Sequence, residues 1–418
     1  MNLLKTSALN GVAVLIKTAT MFILNKILAV YVGPGGYAAI GQFQNFIQMV
    51  TTFAGSAINT AVIKYTAEYH ENEHQQISVW RAAGSLVLIF SFIFSLIILI
   101  FQKQLSLYIF QTTAYQSVFA WFAAFLVLFN LNALFLAILN GKKEILKLVV
   151  ANIVGSVLSL LVTGFLAVQY HLYGALIALS IYQSIAFFVT LFLCYKANWF
   201  KISYLFGRIE PKIAKNFAAF ALMALVSAIC VPLSQMVIRS YLSQEFGLNY
   251  AGYWEAMIRL SAAYLMLVTT TLGVYYLPRL AELTHLDEIK KEVYLGYKFI
   301  FPLAVIGGLS VYLLRDWIIA LLFSQAFMPM RDLFLWQMIG DSLKIGSWIL
   351  AYLMLGKAMT KLFVTTEILF ALSSVGLTYV CSKLFGFEGV SIAHLVNYVL
   401  YWLVMSYFIF GTLESQRG

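Results

Sequence analysis

The chain has 418 residues, 62% of them hydrophobic and 11% charged, with 27 Lys and Arg against 17 Asp and Glu and a mean hydropathy of +0.87. An average soluble domain is about 25% charged, and no soluble core needs this much apolar sequence, so a water-soluble enzyme or binding module is excluded. The apolar residues come in long runs, which defines a polytopic α-helical membrane protein, and the net charge of +10 has no compact basic domain to present it to nucleic acid.

The first run follows Lys5 and continues to about Val32, interrupted by Lys17 and Lys26. It is too long for a signal-peptide apolar region and lacks a small-residue cleavage site, so it is expected to be the first of twelve spans. The spans fall near 7–32, 37–62, 80–101, 115–139, 146–168, 173–195, 216–242, 250–277, 295–314, 332–356, 361–384 and 389–411. Each reaches or exceeds the roughly 20 residues that cross the hydrocarbon, and Gly/Pro breaks such as VGPGG at 32–36 separate neighbours. With the N-terminus in the cytoplasm, 18 Lys and Arg fall in cytoplasmic segments, 4 in outer loops and 5 within spans. By the positive-inside rule both termini are therefore expected to be cytoplasmic. Segments 64–76, 200–217 and 279–294 are polar enough to be interfacial helices.

The cysteines, Cys194, Cys230 and Cys381, lie inside apolar runs without metal-ligand or redox spacing, and His70 and His74 sit in a polar loop without a carboxylate array. No metal or cofactor is expected.

The chain reads as two similar halves. LNGKKEILKLVVANIVGSVLSLL from Leu139 matches MLGKAMTKLFVTTEILFALSSVGL from Met354, with Gly141 over Gly356, Gly174 over Gly389 and Ala178 over Ala393. A repeat of six spans keeps its orientation. The expected architecture is thus two six-helix bundles, 1–199 and 216–418, joined by an amphipathic cytoplasmic linker at 200–215. A pseudo-two-fold along the membrane normal would relate the bundles around a central cavity.

Eight ionisable residues fall within spans: Lys17, Lys26, Arg239, Arg259 and Lys344, with Glu255, Asp341 and Glu367. Each costs about 2.5–3.5 kcal/mol at the centre of a lipid-facing helix, so they should face a wet cavity or one another. Arg239 and Lys26 lie close enough to span ends to snorkel. Asp341 and Lys344 are three apart and Glu255 and Arg259 four apart, so each pair shares a helix face. Gln337 and Ser347 extend the first pair's polar stripe. The pairs either neutralise each other or line a cavity whose excess positive charge suits an anionic ligand, phosphate first. Gln44 and Gln48, on one face of the second span, suit sugar hydroxyls or interhelical hydrogen bonds. Pro232 interrupts the seventh span and Pro302 the ninth, and each is a candidate bending point.

The run LLRDWIIALLFSQAFMPMRDLFLWQMIGDSLKIGSWILAYLML at 313–355 closely resembles the Wzx flippases of the multidrug/oligosaccharidyl-lipid/polysaccharide (MOP) exporter superfamily. KILAVYVGPGGYAAIGQFQN (26–45), IKYTAEYH (63–70), FALMALVSAICVP (220–232) and VYYLPRLAEL (274–283) extend the resemblance over nearly the whole chain. Within that family it points first to flippases of enterobacterial common antigen lipid III and next to those of O-antigen units. The resemblance implies transport, not enzymology. An undecaprenyl-diphosphate-linked oligosaccharide would move from the cytoplasmic to the periplasmic leaflet of the bacterial inner membrane by alternating access. A polymerase and a chain-length regulator would be pathway partners, and the chain would act as a monomer. On this reading Lys17, Arg259 and Lys344 hold the diphosphate, and Asp341 orients Lys344 or carries a coupling proton. Lys26, Arg315, Asp316, Arg331 and Asp332 form gates. The alternatives are a multidrug/cation antiporter of the same superfamily and a membrane-embedded polysaccharide polymerase or ligase.

Overall fold

The computed structural model of the protein describes residues 3–207, 209–276, 279, 280, 283, 285–357 and 359–415. Thirteen α-helices and no strand occur among them. In the first part of the chain these are α1 (Leu3–Tyr31), α2 (Gly33–Phe53), α3 (Asn59–Glu68), α4 (Glu73–Phe110), α5 (Gln116–Gly141), α6 (Ile145–Tyr195) and α7 (Pro211–Glu245). There follow α8 (Leu248–Thr271), α9 (Leu286–Leu313), α10 (Arg315–Leu322), α11 (Phe334–Gly356), α12 (Thr360–Phe385) and α13 (Gly389–Ser415). Helices suit a bilayer, because a helix satisfies its own backbone where water is absent.

Eight helical stretches among the described residues are long and apolar enough to cross a membrane. Two have double length: Ile145–Tyr195 breaks at His171 (φ 49°, ψ −130°), and Thr360–Ile409 contains both α12 and α13. Counting each of these as two, and adding the bent α2–α3 pair and the 24-residue α8, gives the twelve expected spans.

The chain forms two compact units, Met1–Pro232 and Leu233–Gly418, with the boundary inside α7 at its proline. In the first unit α5 packs between α4 and α6, and α1 lies along α6. Trp80, Leu134, Phe135, Ile138, Phe187, Phe200, Leu205 and Phe217 share one core. Among the described residues of 200–217 no separate interfacial helix occurs. Ile202–Leu205 is a single 3-10 turn whose Leu205 backbone lies where a Cβ on Gly84 would fall, and α7 starts at Pro211. The second span, expected to be continuous over 37–62, is bent by 67° after Phe53. Gly55 has φ +144°, a conformation that favours glycine, and lies against Val87. The bend frees the Ala54 carbonyl, which accepts from Ser91 Oγ at 3.1 Å; Asn130 Nδ2 in turn donates to that hydroxyl at 2.9 Å. Asparagine and serine here replace the helix bond that the bend removes.

In the second unit α11 packs against α13 and α9, and α12 packs against α13. Small residues set these approaches. Gly308 of α9 faces Met338 and Ser342, Gly346 of α11 faces Phe301 and Trp402, and Gly340 faces His394 and the Leu395 backbone. With lipid tails as apolar as leucine, such close packing is the main force holding membrane helices together.

Candidate functional site

Two polar clusters lie inside the second unit. The first joins α7 to α8. Glu255 Oε2 is 2.5 Å from Arg239 Nη2, and Glu255 Oε1 is 2.8 Å from Arg259 Nε. The expected Glu255–Arg259 pair is therefore present, but the carboxylate serves a second cation as well. Arg239 does not snorkel: its side chain is 2% exposed and its guanidinium lies 5.5 Å from the Trp254 ring centre. Two guanidiniums sharing one carboxylate carry a formal surplus of one positive charge, and Arg259 is the more accessible of the two.

The second cluster joins α8, α11 and α13 around Asp341, whose side chain is fully buried. Its Oδ1 lies 3.0 Å from His394 Nε2 and accepts from Gln337 Nε2 at 3.3 Å, while Oδ2 accepts from Tyr264 Oη at 3.0 Å. Gln337 is itself buried, donating to Ser261 Oγ and accepting from Ser391 Oγ, each at 3.4 Å. The expected Asp341–Lys344 ion pair is not what the structure shows. Half-buried Lys344 places Nζ 4.8 Å from the Trp348 ring centre and 5.5 Å from that of Tyr398. The ammonium lies over two aromatic faces, a cation–π arrangement, and within electrostatic reach of Asp341. Ser347, expected to extend the polar stripe, bonds back to the Lys344 carbonyl at 2.7 Å.

Gly340 is what lets α13 come close enough for His394 to reach Asp341. A Cβ there would fall on the His394 ring and the Leu395 backbone. Gly340→Ala is expected to destabilise by about 1–3 kcal/mol, the usual effect of overpacking a close contact. Gly376→Ala, in open space on α12, should be neutral or slightly stabilising. Thermal aggregation midpoints of the purified variants compare the two, and equal midpoints would refute the packing argument.

The remaining candidates lie on several elements. Lys17 is exposed and Lys26 half-buried on α1, and on α2 Gln44 is half-buried while Gln48 is exposed. Pro232 lies buried within α7, which continues helically through it; Asn45 Nδ2 donates to its carbonyl at 3.4 Å. Glu367 is half-buried on α12, within electrostatic reach of Tyr398 and Tyr401. Of the charged gate candidates at 315–332, Arg331 Nε pairs with Asp316 Oδ1 at 3.0 Å. Arg315 instead caps the Tyr312 carbonyl at 2.9 Å, and Asp332 is exposed. Sequence reasoning missed His394, Tyr264 and Tyr398. The signal for the first was present: a histidine inside SIAHLVNYV is an intramembrane ionisable group even when neutral.

The fold and these clusters define a class, the twelve-helix membrane transporter fold. Two solved structures share it. A multidrug resistance MATE family transporter of the MOP superfamily superposes with a TM-score of 0.78 at 14% identity, covering 96% of each chain. The lipid II flippase MurJ superposes at 0.73 with 12% identity, covering 97% of this chain and 87% of that one. Residues 3–284 match the family described as polysaccharide biosynthesis protein. Lipid III flippases of Escherichia coli (strain K12) and Shigella flexneri are each 30% identical over 406 residues, 96% of this chain and 97% of theirs. The chain belongs to the polysaccharide biosynthesis protein family.

Proposed function

We propose that this protein is a flippase that moves a lipid-linked oligosaccharide, an undecaprenyl-diphosphate-linked repeat unit, from the cytoplasmic to the periplasmic leaflet of the bacterial inner membrane. The observation that carries the reading is end-to-end 30% identity to lipid III flippases in a chain with cationic groups inside its spans. The shared fold alone fits a multidrug antiporter equally well, and the sequence kinship decides between the two. Alternating access between the halves, taken as 1–199 and 216–418, would carry the diphosphate past a low-dielectric region where few water molecules can screen it. Arg259 and Lys344 are assigned to that anion, and exposed Lys17 on α1 is a separate candidate for anion contact. The Lys/Arg asymmetry supports cytoplasmic termini, and the Arg331–Asp316 ion pair, joining α10 to the segment before α11, supports a gate there.

The test is deletion of the gene in its host, extraction of lipid-linked intermediates and complementation. An undecaprenyl-diphosphate oligosaccharide should accumulate in the deletion strain and clear with the wild-type gene. If none accumulates in a strain stripped of related flippases, the substrate assignment is wrong and the antiporter reading takes its place.

A further inference from the structure

We infer that the end of the first unit where α5 turns into α6 is a binding site for an anionic phospholipid, with the headgroup phosphate beside Lys142 and the acyl chains along α6. The inference is independent of the cargo and of the direction of transport.

Three separate stretches of chain assemble the site. α5 ends at Gly141 and α6 begins at Ile145, so Lys142, Lys143 and Glu144 form the turn between two spans and lie at a membrane face. A Cβ on Gly141 would fall on Thr66 and the Ile63 carbonyl, so glycine lets this turn sit directly on α3. The second stretch follows the far end of α6. That helix breaks at His171 and returns, and Trp199 Nε1 donates to Glu144 Oε1 at 2.8 Å. The third is the start of α4. Gln76 is 1% exposed; its Nε2 donates to the Thr66 carbonyl at 2.6 Å, and its Oε1 accepts from Lys142 Nζ at 3.0 Å. Trp80, also buried, donates to Thr66 Oγ1 at 3.0 Å.

These contacts fix Lys142 and leave its charge uncompensated. Its Nζ lies 5.4 Å from the Trp199 ring centre and 5.8 Å from that of Trp80. An aromatic face attracts a cation but brings no net negative charge. An ammonium has three N–H donors, and Gln76 takes one. Among the described residues no carboxylate lies within ion-pair distance of Lys142. Its neighbour Glu144 pairs instead with Lys147, at 3.3 Å, and Lys147 lies over the same Trp199 ring at 5.8 Å. Residues 142–147 and 196–201 together hold five lysines and one glutamate. The local surplus is therefore strongly positive and is held on a fixed frame.

Such a site attracts phosphate, and its surroundings select the phosphate of a membrane lipid. Leu146, Val150, Val157 and Leu161 are exposed along one face of α6, starting at the turn. Phe192 and Tyr195 are exposed beside Lys196 at the other end of the same helix. In a bilayer an exposed apolar helix face meets acyl chains. The lysine turn and the apolar face thus match the two parts of one phospholipid, and the indoles stand at the headgroup level where tryptophan is enriched. Basic pockets between spans take anionic headgroups in this way. Phosphatidylethanolamine carries its own ammonium and gains less from a cationic site than phosphatidylglycerol does.

The test is native mass spectrometry of the full chain in detergent micelles, titrated with phosphatidylglycerol. The wild type should bind it more tightly than phosphatidylethanolamine. Lys142→Gln should weaken binding about 5-fold, and Lys142→Gln with Lys147→Gln about 25-fold. Lys142→Arg keeps the charge and should bind nearly as the wild type does. Lys290→Gln with Lys291→Gln, a basic pair on α9 beside Asp287 and Glu288, should leave binding unchanged. Phosphatidylglycerol brominated on its acyl chains should quench indole emission less in Trp199→Phe than in the wild type. Should the double variant fail to fold, Lys142→Gln alone decides the matter. Wild-type affinity in Lys142→Gln, or an equal loss in the α9 variant, would overturn the site. Tighter binding of undecaprenyl diphosphate than of phosphatidylglycerol, lost in the same lysine variants, would assign the site to cargo and overturn the phospholipid.

Discussion

Replacing Glu255 by leucine is expected to destabilise the protein by about 3–5 kcal/mol, the range measured when one partner of a buried ion pair is removed. Glu255 is buried and lies between Arg239 and Arg259, two cations held in a region from which water is largely excluded. Without the carboxylate the charge that lies between the two guanidiniums is gone, and buried Arg239 loses its ion-pair partner. The sign differs for the cations. Arg259→Met leaves a neutral Arg239–Glu255 pair and should be far milder, because the cluster begins with a surplus positive charge. Pairing Glu255→Leu with Arg239→Met should recover part of the loss, since it removes the most deeply buried charge. Thermal aggregation midpoints of the purified variants, arranged as a double-mutant cycle, read these differences. Additive behaviour of Glu255→Leu and Arg239→Met would mean that the cluster is hydrated and that its contacts contribute little.

Lys344→Ala is expected to slow clearance of the lipid-linked oligosaccharide by roughly 10- to 150-fold at equal protein level. That corresponds to losing one charge-assisted contact of about 1.5–3 kcal/mol. Its effect on stability should be smaller. Lys344 is half-buried, and what holds it in this structure is the pair of rings of Trp348 and Tyr398, worth about 0.5–2 kcal/mol. Lys344→Arg keeps the charge and the affinity for aromatic faces, so it should retain much of the activity. Arg259→Ala should behave like Lys344→Ala, and the two together should be less than additive if both hold one diphosphate. The measurement is the initial rate of clearance in the complemented deletion strain, with protein quantified in the same membranes. Unchanged clearance in both single variants would show that the anion is held elsewhere.

Much of the architecture is legible from the sequence because a bilayer leaves few choices. A long apolar run that crosses a bilayer is helical, so apolar length locates the spans, and the break inside the 51-residue α6 at His171 falls between the two runs read at 146–168 and 173–195. Helical spacing likewise gives the Glu255–Arg259 contact, because residues four apart share a face.

Spacing along one helix cannot say what a neighbouring helix offers. Asp341 and Lys344 share a face, yet α13 presents His394 to one and Tyr398 to the other, and those nearer partners win over the pair expected from the sequence. Arg239 lies near a span end where a snorkelling side chain is cheap, but Glu255 on the adjacent α8 makes burial cheaper. The bend after Phe53 depends on Ser91 and Asn130, brought from α4 and α5 to satisfy a carbonyl that no local residue could. By itself, then, the sequence determined the membrane class, the helices and the charges inside them, all consequences of local composition and period. Only the tertiary structure decided which charge meets which partner, because in a low-dielectric interior the nearest donor or cation dominates and helix packing chooses it.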